Sequence, residues 1–395
     1  MKRILVLLLL ILVGLNLRPV MATIGPLTDV LLKLWQLNYS WISLLNGLPI
    51  LMMGAGALCS HWLLRHYSPR ALLASALLLI AIGTLWRFYS QAPLLMITSA
   101  LLAGLGIALV QAFMPSIIKQ HWPSHTASYM GIYISAIMGG AALSAAIAPQ
   151  ILHHSTLGWA LASWGLLALP TLWLFLRLVP RQPLSGPGSM AAPQAKPALK
   201  VHKLPRAWRL AAFFGLGTSG FTCMLAWLPP HFLDLGYSPT QAGLALSLLS
   251  ATEVVSGLVF SQLAARALDR RPCLITAILL AIIGLLCLAL GEHWLAWAGV
   301  VIAGCGVGAL FPLSMIVCMD HLEQPRAAGM LTAWVQGMGY LVAGTSPMLA
   351  GLLRDHLHSF TATWCALAGI MLILLPLAAG FDPRHYARVM SKVSA

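Results

Sequence analysis

The chain has 395 residues, 59% hydrophobic and 8% charged, and its 23 Lys and Arg outnumber nine Asp and Glu for a formal net charge of +14. A mean hydropathy of +0.87 excludes a water-exposed globular surface and leaves one turned towards lipid. The positive charge does not indicate nucleic acid, because the basic residues are scattered over short connections and form no stripe interleaved with exposed aromatics.

Apolar runs of about twenty residues, each long enough to cross roughly 30 Å of hydrocarbon, recur along the chain. They predict an all-α membrane protein of twelve spans, near 4–29, 40–64, 71–90, 93–118, 127–152, 157–178, 208–232, 239–264, 273–291, 294–319, 327–352 and 360–380. The first begins like a secretory signal, with Lys2 and Arg3 before Ile4 to Gly14. Its apolarity resumes beyond Arg18 to Leu27 without an A-x-A cleavage site, so it is predicted to stay as a membrane helix.

Arg18 stands near the middle of that span. A charge there costs about 2.5–3.5 kcal/mol on insertion scales, so it must face a wet cavity or a partner. Pro19 removes a helix hydrogen bond just there and permits a bend. The planar guanidinium suits oxyanions and carboxylates, which makes Arg18, with Asn16 beside it, a candidate anion site. The structural alternative is an Arg18 held by carbonyls or an acid. Arg87, near the outer end of the third span, is expected to snorkel to the interface.

Gln111, Tyr133, Trp227, Gln336 and Tyr340 place polar or aromatic atoms at mid-span on the fourth, fifth, seventh and eleventh helices. They are candidate substrate contacts, with interhelical hydrogen bonding as the alternative. Eight of the nine acids fall at span ends or in loops, and Glu253 alone lies deep in a span, the eighth. It is a candidate proton-coupling residue, with a fixed ion pair or a satisfied residue at the cavity edge as the alternatives. The one long polar break, from Val179 to Trp208, carries six prolines and reads as a linker. The predicted organisation is a first half at 1–179, a cytoplasmic linker at 180–207, a second half at 208–382 and a cytoplasmic tail at 383–395.

With both termini in the cytoplasm, 19 of the 23 Lys and Arg fall on the inner side, which sets the expected orientation. The halves also repeat. Ala103-Gly104-Leu105-Gly106 recurs 200 residues later as Ala303-Gly304-Cys305-Gly306, and Gly131, Gly139 and Pro149 recur at an offset of 198 as Gly329, Gly337 and Pro347. Leu37-Asn38-Tyr39-Ser40 recurs as Leu235-Gly236-Tyr237-Ser238, where Ser238-Pro239-Thr240-Gln241 predicts a helix start with a capping box. Six plus six helices about a pseudo-twofold axis enclose a cavity between the halves near the midplane. Glycine strings inside apolar spans serve close helix packing, since a dinucleotide loop needs a strand before it. The seven cysteines include no C-x-x-C pair, and no catalytic constellation, Walker A string, metal cluster or cofactor motif is present.

Five strings carry a family resemblance: GLNLRPVMATIGPL at Gly14 to Leu27, GIALVQAFMPSIIK at Gly106 to Lys119, AWLPPHFLDLGYSPTQAG at Ala226 to Gly243, GALFPLSMIVCMDH at Gly308 to His321 and GMLTAWVQGMGYLVAG at Gly329 to Gly344. Over nearly its whole length the chain resembles the major facilitator superfamily and, within it, the cyanate permease and nitroimidazole transporter group. The superfamily's loop motif between helices two and three is degenerate here, reduced to Arg65 through Arg70, and Glu253 lies in none of the matching strings. The resemblance implies a monomeric secondary transporter of the inner membrane, not an enzyme, with a cyanate-like anion or weak acid as its substrate. Moving a negative charge inward against 100 mV costs about 2.3 kcal/mol, so accumulation requires proton symport or exchange. Efflux of nitroheterocycles, antibiotics or other drugs by the same fold is the competing expectation, favoured by a predicted aromatic-rich interior with 14 Trp.

Overall fold

The computed structural model describes residues 2–89, 92–122, 125–179, 201–291, 293–322 and 325–386, and these contain helices and no strand. In chain order the helices are α1 (Lys2–Leu15), resumed as Pro19–Ala22, a 3-10 turn at Gly25–Leu27 and Thr28–Trp35; α2 (Tyr39–His66); α3 (Pro69–Leu85); α4 (Pro93–His121); and α5 (Thr126–His154). Then come α6 (Leu157–Ala162, continued through 3-10 turns at Ser163–Leu167 into Ala168–Leu178), α7 (Pro205–Asp234) and α8 (Pro239–Arg266). The series closes with α9 (Arg271–Leu290), α10 (Trp294–Asp320), α11 (Pro325–Leu357) and α12 (Thr361–Ala379). Each predicted span has its counterpart.

Eleven of the segments are long and apolar enough to cross a membrane. The twelfth, α11, has 33 residues but a more polar sequence, and it is sheltered between α2 and α7. Helix starts follow their local chemistry. Ser238 accepts the Gln241 backbone N–H while the Gln241 side chain returns to the Ser238 N–H, the predicted capping box of α8. Proline occupies the first helical position of α3, α4, α7 and α8, where its missing N–H costs nothing.

The sequence repeat is also a packing repeat. Helix α5 lies on α1 as α11 lies on α7; α4 packs on α2 and α3 as α10 packs on α8 and α9; α6 covers α3 as α12 covers α9. The repeated glycines explain how closely: a Cβ at Gly104 would overlap Pro49 of α2, and one at Gly304 would overlap Thr252 of α8. Gly106 and Gly306 face the backbones of Ala76 on α3 and Ala281 on α9 in the same manner. The halves meet along α2 with α11 and α5 with α8.

Residues 180–200 of the predicted linker and 387–395 of the predicted tail lie outside the described residues. Residues 201–207, also assigned to the linker, already form a 3-10 turn and the start of α7, because Pro205 begins that helix. At the face holding the chain termini, Arg206 donates from Nε to His321 Nε2 (2.9 Å) and from Nη2 to the Gly380 carbonyl (3.0 Å), while His321 stacks on Tyr386 at 3.8 Å. Several tryptophans sit exposed near helix ends, among them Trp62, Trp86, Trp159, Trp208 and Trp294, as amphipathic rings do at headgroup level.

Candidate functional site

The backbone of the first span breaks where Pro19 predicts it. Regular helix stops at Leu15, residues 16–18 are irregular, and helix resumes at Pro19 with Arg18 as its N-cap. Such a break inside a bundle persists only if the freed backbone groups find protein partners. Arg87 Nη1 donates to the Val20 carbonyl (2.5 Å), left bare because the Ile24 N–H bonds Met21, and Thr23 Oγ1 adds to the Thr23 N–H on the Pro19 carbonyl (2.8 Å). Arg87 is therefore no snorkelling residue. It is completely buried, and it pins the broken helix to α4 by also donating from Nε to Ser99 Oγ (2.7 Å). Interfacial snorkelling failed as an expectation because α1 offers bare carbonyls closer than water.

The break turns Arg18 into a chamber of about 520 Å³ between the halves. Gln111 of α4, Tyr133 of α5, Glu253 of α8, and Gln336 and Tyr340 of α11 line the same chamber. The Arg18 charge acts on Tyr340, Glu253 and Tyr133, so residues drawn from four elements of both halves converge electrostatically. Gly308 of α10 makes this possible on one side, since any side chain there would strike the backbone of Glu253.

None of these groups is spent on the fold. The Arg18 side chain is 6% exposed and its Nε has no partner; both Glu253 carboxylate oxygens and the Tyr133 hydroxyl are likewise buried and unpartnered. Arg18 rests on the face of the Phe221 ring, 4.8 Å from its centroid, a contact that leaves the donors of the fork free. A buried charge and three unmet polar groups together are costly, and the arrangement is one that a ligand can complete.

Two predicted contacts fall elsewhere. Asn16 donates from Nδ2 to the Leu12 carbonyl (2.7 Å) and to Thr171 Oγ1 (3.0 Å), tying the broken helix to α6 on the side away from the chamber. Trp227 donates from Nε1 to the Pro347 carbonyl (2.9 Å) and packs on Tyr39 and Phe360. It lies six residues beyond Phe221, about 9 Å and 240° of helix rotation away, which places it at the far end on another face. Sequence reasoning missed Thr218, Phe221 and Thr222 on α7 and Phe311 on α10, which do line the chamber. Their signal was the i, i+3, i+4 spacing on α7. Among the described residues no tryptophan lines the chamber; its aromatic walls are Tyr133, Phe221, Phe311 and Tyr340 and none of the 14 Trp.

The chamber runs from Arg18 towards the face that holds the termini, reaching Ser261 of α8 and Met319 at the last turn of α10. Towards the opposite face the halves close. Asp355 at the end of α11 accepts the backbone N–H groups of Tyr39 and Ser40 (both 2.9 Å) and the Ser40 hydroxyl, capping α2 from the other half. Arg354 pairs with Asp234 (2.7 Å) and lies over the Tyr39 and Phe360 rings. Ser247 of α8 donates to the Ala142 carbonyl of α5 (2.7 Å), and Gly25 meets Pro229.

Comparison with known proteins gives this architecture its relatives. The sequence profile of the Major Facilitator Superfamily matches residues 6–238 and 228–393. The cyanate transport protein CynX of Escherichia coli strain K12 is 36% identical over 384 residues, which cover 94% of this chain and 97% of that protein. The 2-nitroimidazole transporter of the same organism is 27% identical over 94% of each chain. Among solved structures, a D-xylose–proton symporter superposes with a TM-score of 0.73 at 19% identity over 96% of both chains. The nucleoside transporter NupG superposes with a TM-score of 0.73 at 15% identity over 96% of this chain and 98% of that one. Two matched halves, twelve helices in a repeated packing and a chamber between them make this chain a multi-pass membrane transport protein that belongs to the Major Facilitator Superfamily.

Proposed function

We propose that the chain carries a small anion or weak acid across the bacterial inner membrane by alternating access, coupled to protons, with Arg18 holding the negative charge. The observation behind this reading is the Arg18 guanidinium, buried in the chamber with its Nε unpartnered and no ion pair to a described residue. The 36% identity to a cyanate transport protein supports an anion of that kind as substrate. Residues 1–179 and 208–382 act as the two halves that rock, and the excess of Lys and Arg on one face supports placing both termini in the cytoplasm. The chamber then faces inward.

Glu253 supplies the coupling. A bound anion neutralises the Arg18 charge that acts on Glu253, and the carboxylate takes up a proton in exchange. Anion and proton thus enter together, and the pair crosses without net charge, which removes the opposing cost of about 2.3 kcal/mol per 100 mV.

The test is uptake of labelled cyanate into proteoliposomes under an inward proton gradient. Arg18→Ala is expected to abolish it and Arg18→Lys to leave a residue of activity, since lysine keeps the charge without the fork. Undiminished uptake by Arg18→Ala overturns the reading. The apolar stretches of the chamber wall favour a second reading, efflux of nitroheterocycles or other drugs, which the 27%-identical 2-nitroimidazole transporter also supports. Protection of cells against a panel of such compounds, with no anion uptake, decides for it.

A further inference from the structure

The walls around Arg18 are unlike those of a site built only for a triatomic ion. A chamber of about 520 Å³ falls in the range of drug-sized pockets. Phe221 and Phe311 on the second half and Met53, Met138 and Met315 around them present soft, polarisable surface to whatever Arg18 holds. Phe311 packs at a tilt on Phe214 with ring centroids 5.6 Å apart, yet 38% of its surface stays open. An exposed phenyl ring on an inward-turned helix face is a cost unless something apolar covers it.

Ligand size bears on the same point. Three heavy atoms at the ceiling of about −1.5 kcal/mol each yield roughly −4.5 kcal/mol, a dissociation constant in the upper micromolar range at best. A compact anion also loses its hydration to walls that offer few donors in return. An anion whose charge sits on the edge of a ring avoids both limits: the ring displaces water from the phenyl and thioether surface while the charged edge takes the guanidinium fork.

We propose that the substrate class of this chamber is planar monoanions with an aromatic body, aromatic monocarboxylates foremost, bound with the carboxylate on Arg18 and the ring between Phe221 and Phe311. The methionines let the wall refit around rings of different outline, so the class is broad in ring shape and strict in charge. This rests on the reading of Arg18 as an anion site.

The experiment is thermal stabilisation of the purified full-length protein by benzoate, cyclohexanecarboxylate, cyanate and the neutral benzamide, each at millimolar concentration. Benzoate is expected to bind at least about tenfold tighter than cyanate, cyclohexanecarboxylate to fall between them, and benzamide to give no shift. Phe311→Ala and Phe311→Leu should each weaken benzoate by about tenfold and leave the cyanate shift in place, which also reports that the variants are folded. Cyanate binding as tightly as benzoate, or benzoate binding unchanged in both Phe311 variants, overturns the proposal and leaves the anion reading standing. Benzamide matching benzoate, with Arg18→Ala without effect, overturns the anion reading itself. Absence of any shift from all four compounds overturns both.

Discussion

Glu253 and His321 are both buried, and the difference between them is in their partners. Glu253 has none for either oxygen, whereas His321 has one at each nitrogen: Nδ1 donates to the Val317 carbonyl (2.6 Å) and Nε2 accepts from Arg206. The first is a group free to exchange a proton, and the second is one whose neutral tautomer is fixed. Glu253→Gln should therefore keep substrate binding but lose the dependence of uptake on a proton gradient, measured as transport rate against internal and external pH; a variant that still follows the gradient removes Glu253 from the coupling. For His321, just outside the membrane span, burial first and then the nearby Arg206 charge push the pKa down to about 4 from 6.5. Below pH 6.5 the unfolded chain takes a proton that the folded chain refuses, so stability falls as pH drops from 6.5 to 4 and levels off beneath it. The loss amounts to at most about 3–4 kcal/mol. The melting temperature of the wild type should decline more steeply over that interval than that of His321→Gln.

Residue identity was legible from the sequence where burial is costly. A lone arginine in mid-span and a lone acid deep in another have few places to go, and both reach the chamber. Orientation was less legible for Asn16 and Trp227, whose N–H donors each find a partner on a neighbouring helix. Nothing in the apolar pattern distinguishes a tryptophan turned to a cavity from one turned to a carbonyl. Arg87 was misjudged for a related reason, since its receiving carbonyl, Val20, is bare only because the Ile24 N–H of a different span turns to Met21.

At the scale of elements, glycine pairs and caps decide how helices approach. Gly106 and Gly306 were readable as a repeat before anything was known of their neighbours, and both touch the backbone of the adjacent helix. Gly306→Val forces α9 and α10 apart and should cost about 1–3 kcal/mol or more, read as a lowered melting temperature in detergent. Asp355 works differently, because it caps α2 from the opposite half and so stabilises only the arrangement in which that face is closed. Asp355→Ala removes charge-assisted bonds to two backbone N–H groups. The loss is about 1 kcal/mol, roughly a fivefold shift of the equilibrium towards opening at that face. Faster labelling of a cysteine placed beneath the cap, with overall melting little changed, is the expected result. This cap had no sequence signal, since its two members lie 316 residues apart and each reads as an ordinary helix-end residue.

For the whole molecule, the repeat carries a consequence that no single helix does. Under the alternating access proposed above, two halves with the same internal packing, meeting along α2 with α11 and α5 with α8, lean in two symmetry-related ways that open the chamber to one face or the other. The structure holds one of them, with Ser261 on the chamber wall towards the termini and Ser43 buried near the opposite face. In a background with the seven cysteines replaced, Ser261→Cys should react rapidly with a maleimide and Ser43→Cys slowly. Adding Asp355→Ala should narrow that ratio by roughly fivefold, because weakening the closed face lets the opposite lean gain population. If Ser43→Cys stays protected while the same protein transports, the halves do not rock about these interfaces, and access to Arg18 from the far face must come from local movement of the broken first helix alone.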